Sequence, residues 1–404
     1  MSRLLPVLTA ACLVVTGCSG EPPVSGPSPT AAPSSSATST PTPIRTSATP
    51  STPTPKPSPT PTADCLDLVL AAMSTREKAA QLVMTGIRAG GMSRGQRRTL
   101  AGQQPGGILL LGTSGDAADV RRVVSAAKSA AGRPDGVAPL VAADQEGGQV
   151  QRLQGAGFDR MPSATTQSDW SDAELTRKAT RWADQLDAVG VHVDLAPVAD
   201  VVPSSVGDRN EPIGALDRGY GSDPEQVGRH VAAFVRGMRA AGVATAVKHF
   251  PGLGRVRGNT DFSSGVVDRT TRRDDPLLAP FRAGVAAGTD MVMVATATYP
   301  RIDPDNRAVF SRTVINGMVR GDLGFDGVVI ADDLGAAAEV ASVPAGRRAV
   351  RFVAAGGDIV ITAEASLTAT MIDALVAEAG DLDLDQHVRR VLVLKQRQGL
   401  VSCR

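Results

Sequence analysis

Charged and hydrogen-bonding side chains follow three apolar segments of this 404-residue chain. Asp144-Gln145-Glu146, Lys248-His249 and Asp332-Asp333 each come directly after a run of small or β-branched residues. Carboxylates together with Lys and His suit a neutral ligand rich in hydroxyl groups, because all of them hydrogen-bond hydroxyls. One carboxylate could attack an anomeric carbon while another group moves the proton, as glycoside hydrolysis requires. Asp200 and Asp333, at the same strand ends, are interpreted as structural ion-pair residues.

The segments before these side chains have the pattern of a parallel β-sheet. Apolar runs predict eight strands, which alternate with amphipathic helices between residues 64 and 404. This pattern favours a single-domain α/β fold, a (β/α)8 TIM-type barrel, over the alternative of an open doubly wound sheet. In such a barrel the functional side chains lie at the carboxyl ends of the strands, where all three motifs fall. The predicted strands are Leu82–Ile87, Gly107–Leu111, Pro139–Ala143, His192–Ala196, Val243–Val247, Met291–Ala295, Gly327–Ala331 and Asp358–Thr362, and the predicted helices include Ala117–Ala131, Asp172–Val189, Asp223–Ala241, Leu277–Ala287, Arg312–Arg320 and Gly346–Ala355.

Composition argues against several other classes of function. Lys and Arg total 42 against 41 Asp and Glu, so the chain lacks the basic surface that a nucleic-acid partner would need. The four histidines (His192, His230, His249 and His387) have no metal-ligand spacing, and no Gly-x-Ser-x-Gly motif is present. We therefore expect no metal, no cofactor and no nucleic-acid partner. We further expect the protein to be a monomer.

Residues 1–63 have the composition of an export segment and a linker. Residues 1–18 are interpreted as a lipoprotein signal peptide, because Arg3 precedes an apolar run and Val15-Thr16-Gly17-Cys18 resembles a lipobox in which Cys18 is lipidated. A plain secretory signal is the alternative. Residues 19–63 consist almost entirely of Pro, Ser, Thr and Ala, which predicts a disordered tether. We expect an exported protein that a lipid anchors at the extracytoplasmic face of the cell membrane.

The cysteine positions predict one disulfide bond. Cys12 leaves with the signal peptide and Cys18 carries the lipid, so Cys65 and Cys403 remain. These two residues lie at the start and the end of the globular part of the chain, and domain termini are often close in space. Because an exported chain meets oxidising conditions, we expect a Cys65–Cys403 disulfide, with two free thiols as the alternative.

Three longer motifs carry a resemblance to a known family. They are Asp144-Gln-Glu-Gly-Gly-Gln-Val-Gln-Arg152, Lys248-His-Phe-Pro-Gly-Leu-Gly254 and Val329-Ile-Ala-Asp332-Asp333-Leu334. Over about residues 66–398 the chain resembles glycoside hydrolase family 3, in its single-domain β-N-acetylglucosaminidase (β-N-acetylhexosaminidase) branch, as an actinobacterial-type lipoprotein. The resemblance implies that Asp332 is the nucleophile and that Asp144, Arg152, Lys248 and His249 hold the non-reducing sugar. It also implies a further sugar-binding arginine, either Arg218 or, as the alternative, Arg209.

The loop after Lys248 departs from the family pattern. The usual loop reads Lys-His-(Phe/Ser)-Pro-Gly-His-Gly, and four residues further on comes Asp-Ser-His, whose histidine is the acid/base. Here the corresponding residues are Leu253 and Asn259-Thr260-Asp261, and Thr296 occupies a position where a histidine is common in this branch. We expect Asp261 to act as the acid/base, with neutral Asn259 as its orienting partner.

The resemblance implies an exo-acting retaining glycoside hydrolase. It would remove β-linked N-acetylglucosamine (N-acetylhexosamine) from cell-wall-derived or other glycans through a covalent glycosyl-Asp332 intermediate. The alternative is a carbohydrate-binding lipoprotein with little or no turnover, because Asn259 and Asp261 replace the usual dyad. Glycoside phosphorolysis is a third possibility.

Overall fold

The apolar segments form eight parallel strands that close into a barrel. The computed structural model describes residues 64–402. Each strand pairs with its neighbour along the chain, and the first pairs with the last. A parallel bridge between Ile330 and Ile359 completes the ring. The (β/α)8 barrel is therefore confirmed, and the open-sheet alternative is wrong. The strands are β1 (Val83–Arg88), β2 (Gly107–Leu111), β3 (Leu140–Ala143), β4 (Val193–Asp194), β5 (Ala244–Phe250), β6 (Met291–Val294), β7 (Val328–Ala331) and β8 (Val360–Thr362).

Helices separate the strands along the chain. A π-helix, Thr313–Asp322, follows β6, and two antiparallel hairpins follow β3 (Gln145–Gly147 with Val150–Gln151) and β6 (Thr298–Tyr299 with Asp303–Arg307). In chain order the α-helices of the described residues are α1 (Cys65–Ala72), α2 (Thr75–Gln81), α3 (Arg94–Gln103), α4 (Ala117–Ala131), α5 (Ala164–Gln167), α6 (Asp172–Asp187), α7 (Pro224–Ala240), α8 (Ala279–Ala286), α9 (Ala345–Ala354), α10 (Thr368–Ala377) and α11 (Leu384–Arg397).

Local sequence signals place the strands and the helix ends. The strand residues are almost all apolar and buried, as expected for a parallel sheet that is covered on both faces. Ser93 begins α3 with a capping box: its hydroxyl accepts from the Gln96 N–H, and the Gln96 side chain accepts from the Ser93 N–H. The capping box satisfies the first backbone groups of α3 and so fixes where this helix begins.

Several predicted elements differ from the structure by one or two residues at their ends, and three differ most in length or type. Strand β5 continues to Phe250 instead of ending at Val247, so Lys248 and His249 lie within the strand. Strand β4 has only two residues, because Pro197 shortly after it has no N–H to donate to a neighbouring strand. The helix predicted after β6 is a π-helix, at whose end the Leu323 N–H donates to the Met318 carbonyl at 2.9 Å.

The signal peptide, the linker, Cys18 and Cys403 lie outside the described residues. Lipidation and the Cys65–Cys403 disulfide therefore stay predictions. At the ends of the described part, Arg389 of α11 pairs with Asp67 of α1 at 2.7 Å. Thiol labelling of the unreduced, denatured protein tests the disulfide, and two reactive thiols would contradict it. No helix within residues 64–402 is long and apolar enough to cross a membrane.

Candidate active site

A cavity of about 620 Å³ opens at the carboxyl ends of the barrel strands. Its size is in the range of small-molecule sites in proteins. Seven residues that the sequence analysis proposed as catalytic or substrate-binding line this one cavity. These residues are Asp144, Arg152, Arg218, Lys248, His249, Asp261 and Asp332.

A buried ion cluster forms one wall of the cavity. The Lys248 ammonium contacts Asp144 and Glu146, each at 2.6 Å. Arg218 donates two hydrogen bonds to Glu146, at 2.7 and 2.8 Å. Burial alone would raise the pKa of Glu146, but the charges of Arg218 and Lys248 outweigh it and hold that pKa well below its usual range. Glu146 is therefore ionised at neutral pH, and Lys248 holds the Asp144 side chain at the cavity wall without a bound ligand.

The sequence analysis named Glu146 together with Asp144 but assigned it no role in the site. It lies in the same motif as Asp144, but its side chain is buried and accepts hydrogen bonds from Arg218 and Lys248. Its position two residues after Asp144 was the available signal, since an extended segment places side chains i and i+2 on the same face.

His249 is oriented by Asp200 from the segment after β4. The His249 Nδ1 atom lies 2.7 Å from the Asp200 carboxylate, which also accepts the Leu253 N–H at 2.7 Å. The contact with the carboxylate favours a proton on Nδ1, and the free Nε2 atom lies 3.4 Å from an Arg218 nitrogen. Asp200 thus positions a sugar-binding candidate and, at the same time, fixes the loop that follows it.

Arg218 and Arg209 compete for one predicted role, and only Arg218 lines the cavity. Arg209 is exposed and donates to the carbonyl groups of Ser205 and Val206 in its own turn. Arg152 also lines the cavity, and its buried Nε atom has no hydrogen-bond partner among residues 64–402. Because buried donors are normally paired, a ligand oxygen is the partner that this geometry fits.

The neighbouring carboxylates of Asp332 and Asp333, at the end of β7, have different hydrogen-bond partners. The Asp332 N–H donates to the Val294 carbonyl, and Asp332 Oδ1 accepts the Asp333 N–H at 2.9 Å. The other Asp332 oxygen has no hydrogen-bond partner within the described residues. Asp333 instead accepts backbone N–H groups from Gly335, Ala336 and Ala363. The interpretation of Asp333 as structural fits these contacts, although its partners are backbone amides rather than a cation.

The loop that carries Asp261 is held by backbone contacts on two sides. A Cβ atom at Gly254 would lie 1.8 Å from the Val201 carbonyl oxygen, so only glycine allows the loop this close to the segment after β4. On the other side, the Ala338 N–H donates to the Asp261 carbonyl at 3.1 Å. Asn259 does hydrogen-bond Asp261, but its side chain accepts the Asp261 backbone N–H and leaves the carboxyl group free.

The pKa of the Asp261 carboxyl group in this loop is shifted strongly from its ordinary value. Burial of its surroundings, followed by the negative charge of Asp332, raises the pKa of Asp261 to about 6. The residue itself keeps solvent access at the mouth of the cavity. Phe262, the next residue, also lines the cavity and is 83% exposed, which the sequence analysis did not anticipate. A carboxyl group with a pKa near 6 beside a second carboxylate can donate and accept a proton near neutral pH.

Within residues 64–402, no group of three or more His, Cys, Asp or Glu side chains is arranged to hold a metal ion. The polar side chains at this rim include the carboxylates Asp144, Asp261 and Asp332 and the hydrogen-bond donors Arg152, Arg218 and Lys248. A closed barrel with such a pair of carboxylates beside a sugar-sized cavity has the architecture of a glycoside hydrolase.

Comparison with known proteins establishes the family. Residues 74–394 match the model of the glycosyl hydrolase family 3 N terminal domain, so the chain belongs to glycoside hydrolase family 3 and is a glycoside hydrolase. It is similar to the crystal structure of a β-N-acetylhexosaminidase from Beutenbergia cavernae, with 42% identity and a TM-score of 0.79, over 81% of this chain and 99% of that one. LpqI of M. tuberculosis is 28% identical with a TM-score of 0.71, over 82% and 96% of the two chains. A β-hexosaminidase of Xanthomonas oryzae pv. oryzae is 31% identical over 310 residues, 73% of this chain and 87% of that protein.

The ion cluster predicts a pH-dependent effect of Glu146→Gln. The change removes the carboxylate partner of buried Arg218, so we expect the free energy of unfolding at pH 7 to fall by about 3–5 kcal/mol. Since the pKa of Glu146 is lowered on folding, its stabilisation is complete above its unfolded pKa, near 4.5, and is lost as the pH falls toward the folded value. The difference between the two proteins should therefore narrow below pH 4.5. Urea unfolding at several pH values measures it.

Asp373→Asn is the matched control, because it breaks the exposed Arg76–Asp373 pair, whose atoms also lie 2.6 Å apart. We expect this exposed pair to contribute less than about 1 kcal/mol. Equal stabilities of Glu146→Gln and the control would contradict the role of the cluster.

Proposed function

We propose that this protein is an exo-acting retaining glycoside hydrolase that removes β-linked N-acetylglucosamine from the non-reducing ends of glycans such as cell-wall fragments. The observation that carries the proposal is the position of Asp332 in the same cavity as the sugar-binding candidates, with one carboxylate oxygen that no other described residue hydrogen-bonds. The sugar specificity is supported by the similar proteins, which are named β-N-acetylhexosaminidase and β-hexosaminidase.

The proposed reaction has two steps. Asp332 attacks the anomeric carbon, the bond from that carbon to the leaving oxygen breaks, and Asp261 gives its proton to the leaving oxygen. Asp261, now ionised, then takes a proton from water as the water oxygen attacks the same carbon and the bond to Asp332 breaks. Two inversions return the β configuration. The raised pKa of Asp261 supports its assignment, because a useful share of the group is protonated near neutral pH.

A second candidate function is carbohydrate binding with little or no turnover. The observation that favours it is the replacement of the usual Asp–His dyad by Asn259 and Asp261, in which Asn259 contacts only the backbone of Asp261. A covalent intermediate distinguishes the two functions, because a protein that only binds the sugar would not form one.

The same proposal places the protein outside the cytoplasm, anchored to the cell membrane by a lipid on Cys18. The signal-like residues 1–18 and the Pro-, Ser- and Thr-rich residues 19–63 support this location. Cys18→Ala should then move the protein from the membrane fraction to the medium. Retention of the variant in the membrane fraction would exclude the lipid anchor.

The covalent step predicts the behaviour of Asp332→Asn. We expect wild-type protein incubated with a fluorinated N-acetylglucosaminyl fluoride, which slows the second step, to gain the mass of one glycosyl unit on the peptide that contains Asp332. The variant should gain no mass and should lose hydrolysis of aryl β-N-acetylglucosaminides, because an amide is a poor nucleophile. Intact-protein and peptide mass spectrometry measure the adduct, and thermal unfolding checks the fold. Near wild-type hydrolysis by the variant would exclude Asp332 as nucleophile.

Asp261→Asn should affect substrates according to their leaving groups. For poor leaving groups we expect kcat/KM to fall by about 10²–10⁴-fold, because general acid catalysis is lost. Activated aryl leaving groups need no proton, so their glycosylation should be largely spared, and added azide should accelerate deglycosylation. For substrates with poor leaving groups, the kcat/KM of the wild-type protein should decline as the pH rises through about 6, because Asp261 loses its proton there. The kcat/KM of the variant should lack this decline. Unchanged kinetics on both substrate types would show that the proton comes from elsewhere.

A further inference from the structure

The loop that carries Asp261 is bound by one residue of the segment that follows β7. We call residues 259–266 the Asp261 loop. The Glu339 N–H donates to the Thr260 carbonyl at 3.1 Å. The Glu339 carboxylate accepts the Val266 N–H at 2.8 Å. Glu339 therefore contacts the loop on both sides of Asp261, with its backbone before that residue and with its side chain after it.

The same carboxylate is also bonded to the segment that follows β6. Its second oxygen accepts from the Arg307 Nε atom at 2.7 Å. Arg307 pairs with Thr298 across the antiparallel hairpin, and the Thr298 N–H donates to the Val266 carbonyl at 3.0 Å. These contacts form a closed ring that joins the segments after β5, β6 and β7. Within this ring, Glu339 connects the Asp261 loop to the segment that begins with Asp332.

Burial makes the contacts of Glu339 hard to replace with water. Only 1% of its side chain is exposed, and the Val266 N–H that it accepts is buried as well. A buried donor without a partner is unfavourable, so the loop is stable where Glu339 can accept this N–H. Glu339 is not among the residues that line the catalytic cavity. Any effect that it has on a reaction in the cavity must therefore act through the loop.

The Asp261 carboxyl group depends on the loop for its place in the cavity, because it makes no hydrogen bond of its own within residues 64–402. Burial, followed by the charge of Asp332, raises the pKa of Asp261 to about 6. The charged and titratable groups that act on Asp261 come from the ends of three neighbouring strands and are Asp332, Asp333, His249 and Arg218. Both causes of the raised pKa require the loop to lie close to the end of β7, and Glu339 bonds it there.

We propose that Glu339 is a positioning residue for proton transfer, which holds the Asp261 loop against the segment after β7 and so keeps Asp261 close to Asp332. The inference rests on the proposed function, in which Asp261 is the acid/base. It assigns a second task to the segment 332–339, which would carry the nucleophile at one end and position the proton donor from the other.

Glu339→Gln tests this role, because the amide has nearly the same shape but offers one acceptor oxygen in place of two. For substrates with poor leaving groups we expect kcat/KM to fall by about 10–100-fold, since a displaced acid transfers its proton less well. The loss should lie in kcat, because Asp261 acts only in the transition state. Substrates with activated aryl leaving groups need no proton, so their glycosylation should be largely spared.

The pH profile gives a readout that a loss of stability alone would not change. A loosened loop lets Asp261 move away from Asp332 and toward water, and both changes lower the pKa of Asp261. The acid form is then lost at a lower pH. The decline of kcat/KM with rising pH, expected near 6 in the wild-type protein, should therefore move down by about one pH unit in Glu339→Gln. Arg307→Met is a second variant, which removes the other partner of the carboxylate and should move the decline in the same direction by less.

Asp358→Asn is the matched control. The Asp358 carboxylate is also buried and also accepts a backbone N–H, from Val329 at 2.8 Å, and an arginine nitrogen, from Arg320 at 2.6 Å. It precedes β8 and so lies at the opposite end of the barrel from the Asp261 loop. We expect this variant to lose stability in thermal unfolding without a change in the pH profile or in the dependence on the leaving group.

Hydrogen–deuterium exchange of the peptide that contains residues 259–266 measures the loop without turnover. Exchange should be faster in Glu339→Gln than in the wild-type protein and unchanged in Asp358→Asn. If the wild-type protein hydrolyses glycosides but Glu339→Gln resembles the control in pH profile and leaving-group dependence, the positioning role is overturned while the proposed function stands. If the wild-type protein hydrolyses no glycoside, the proposed function fails. Faster exchange in Glu339→Gln alone would then still support its hold on the loop, and equal exchange in the two variants would overturn it.

Discussion

The burial of Lys248 is the constraint on which the arrangement of this site depends. Only 2% of its side chain is exposed, so its ammonium group must meet carboxylates inside the protein. Asp144 and Glu146 supply them from the segment after β3, and Glu146 in turn requires Arg218 from the segment after β4. One buried cation therefore ties together the ends of three consecutive strands. The groups proposed to hold the sugar are thus positioned by the protein itself, which reduces the ordering that binding would otherwise require.

The loop after β5 is held mainly through its backbone, which explains how its side chains could change. Asp200 accepts the Leu253 N–H, and Asn210 donates to the carbonyl groups of Leu253 and Val256. None of these bonds depends on the identity of the Leu253 side chain, which is 2% exposed and packs in the core where the family carries a histidine. The same holds at Asp261, whose backbone N–H and carbonyl are both bonded. The loop can therefore keep its place while its proton-transfer group differs.

Local patterns in the sequence predicted the barrel and the rim that carries the site. Apolar strands and amphipathic helices can each be recognised from a short stretch of sequence, without knowledge of distant contacts. Contacts between distant residues were not accessible in this way. Lys248 was expected to follow β5, yet its N–H donates to the Pro197 carbonyl and the strand continues past it. Its side-chain partner Asp144 lies 104 residues away in the sequence. Glu146 resembled any acidic residue until Arg218, 72 residues further on, was found beside it. The exposure of Phe262 likewise depends on how its loop packs.

An aspartate in place of the family histidine changes the electrostatics of the proposed proton transfer. Protonated Asp261 is neutral, and the charge of nearby Asp332, together with burial, raises the pKa of Asp261 and keeps the proton in place. In the proposed reaction Asp332 would lose that charge on bonding to the sugar, and the repulsion that raises the pKa of Asp261 would disappear. Asp261 would by then have given up its proton, and its ionised form would be easier to maintain until water arrives. The change in the charge of Asp332 would thus shift the pKa of Asp261 so that Asp261 acts first as an acid and then as a base. A histidine at this position would need a separate anion to orient it.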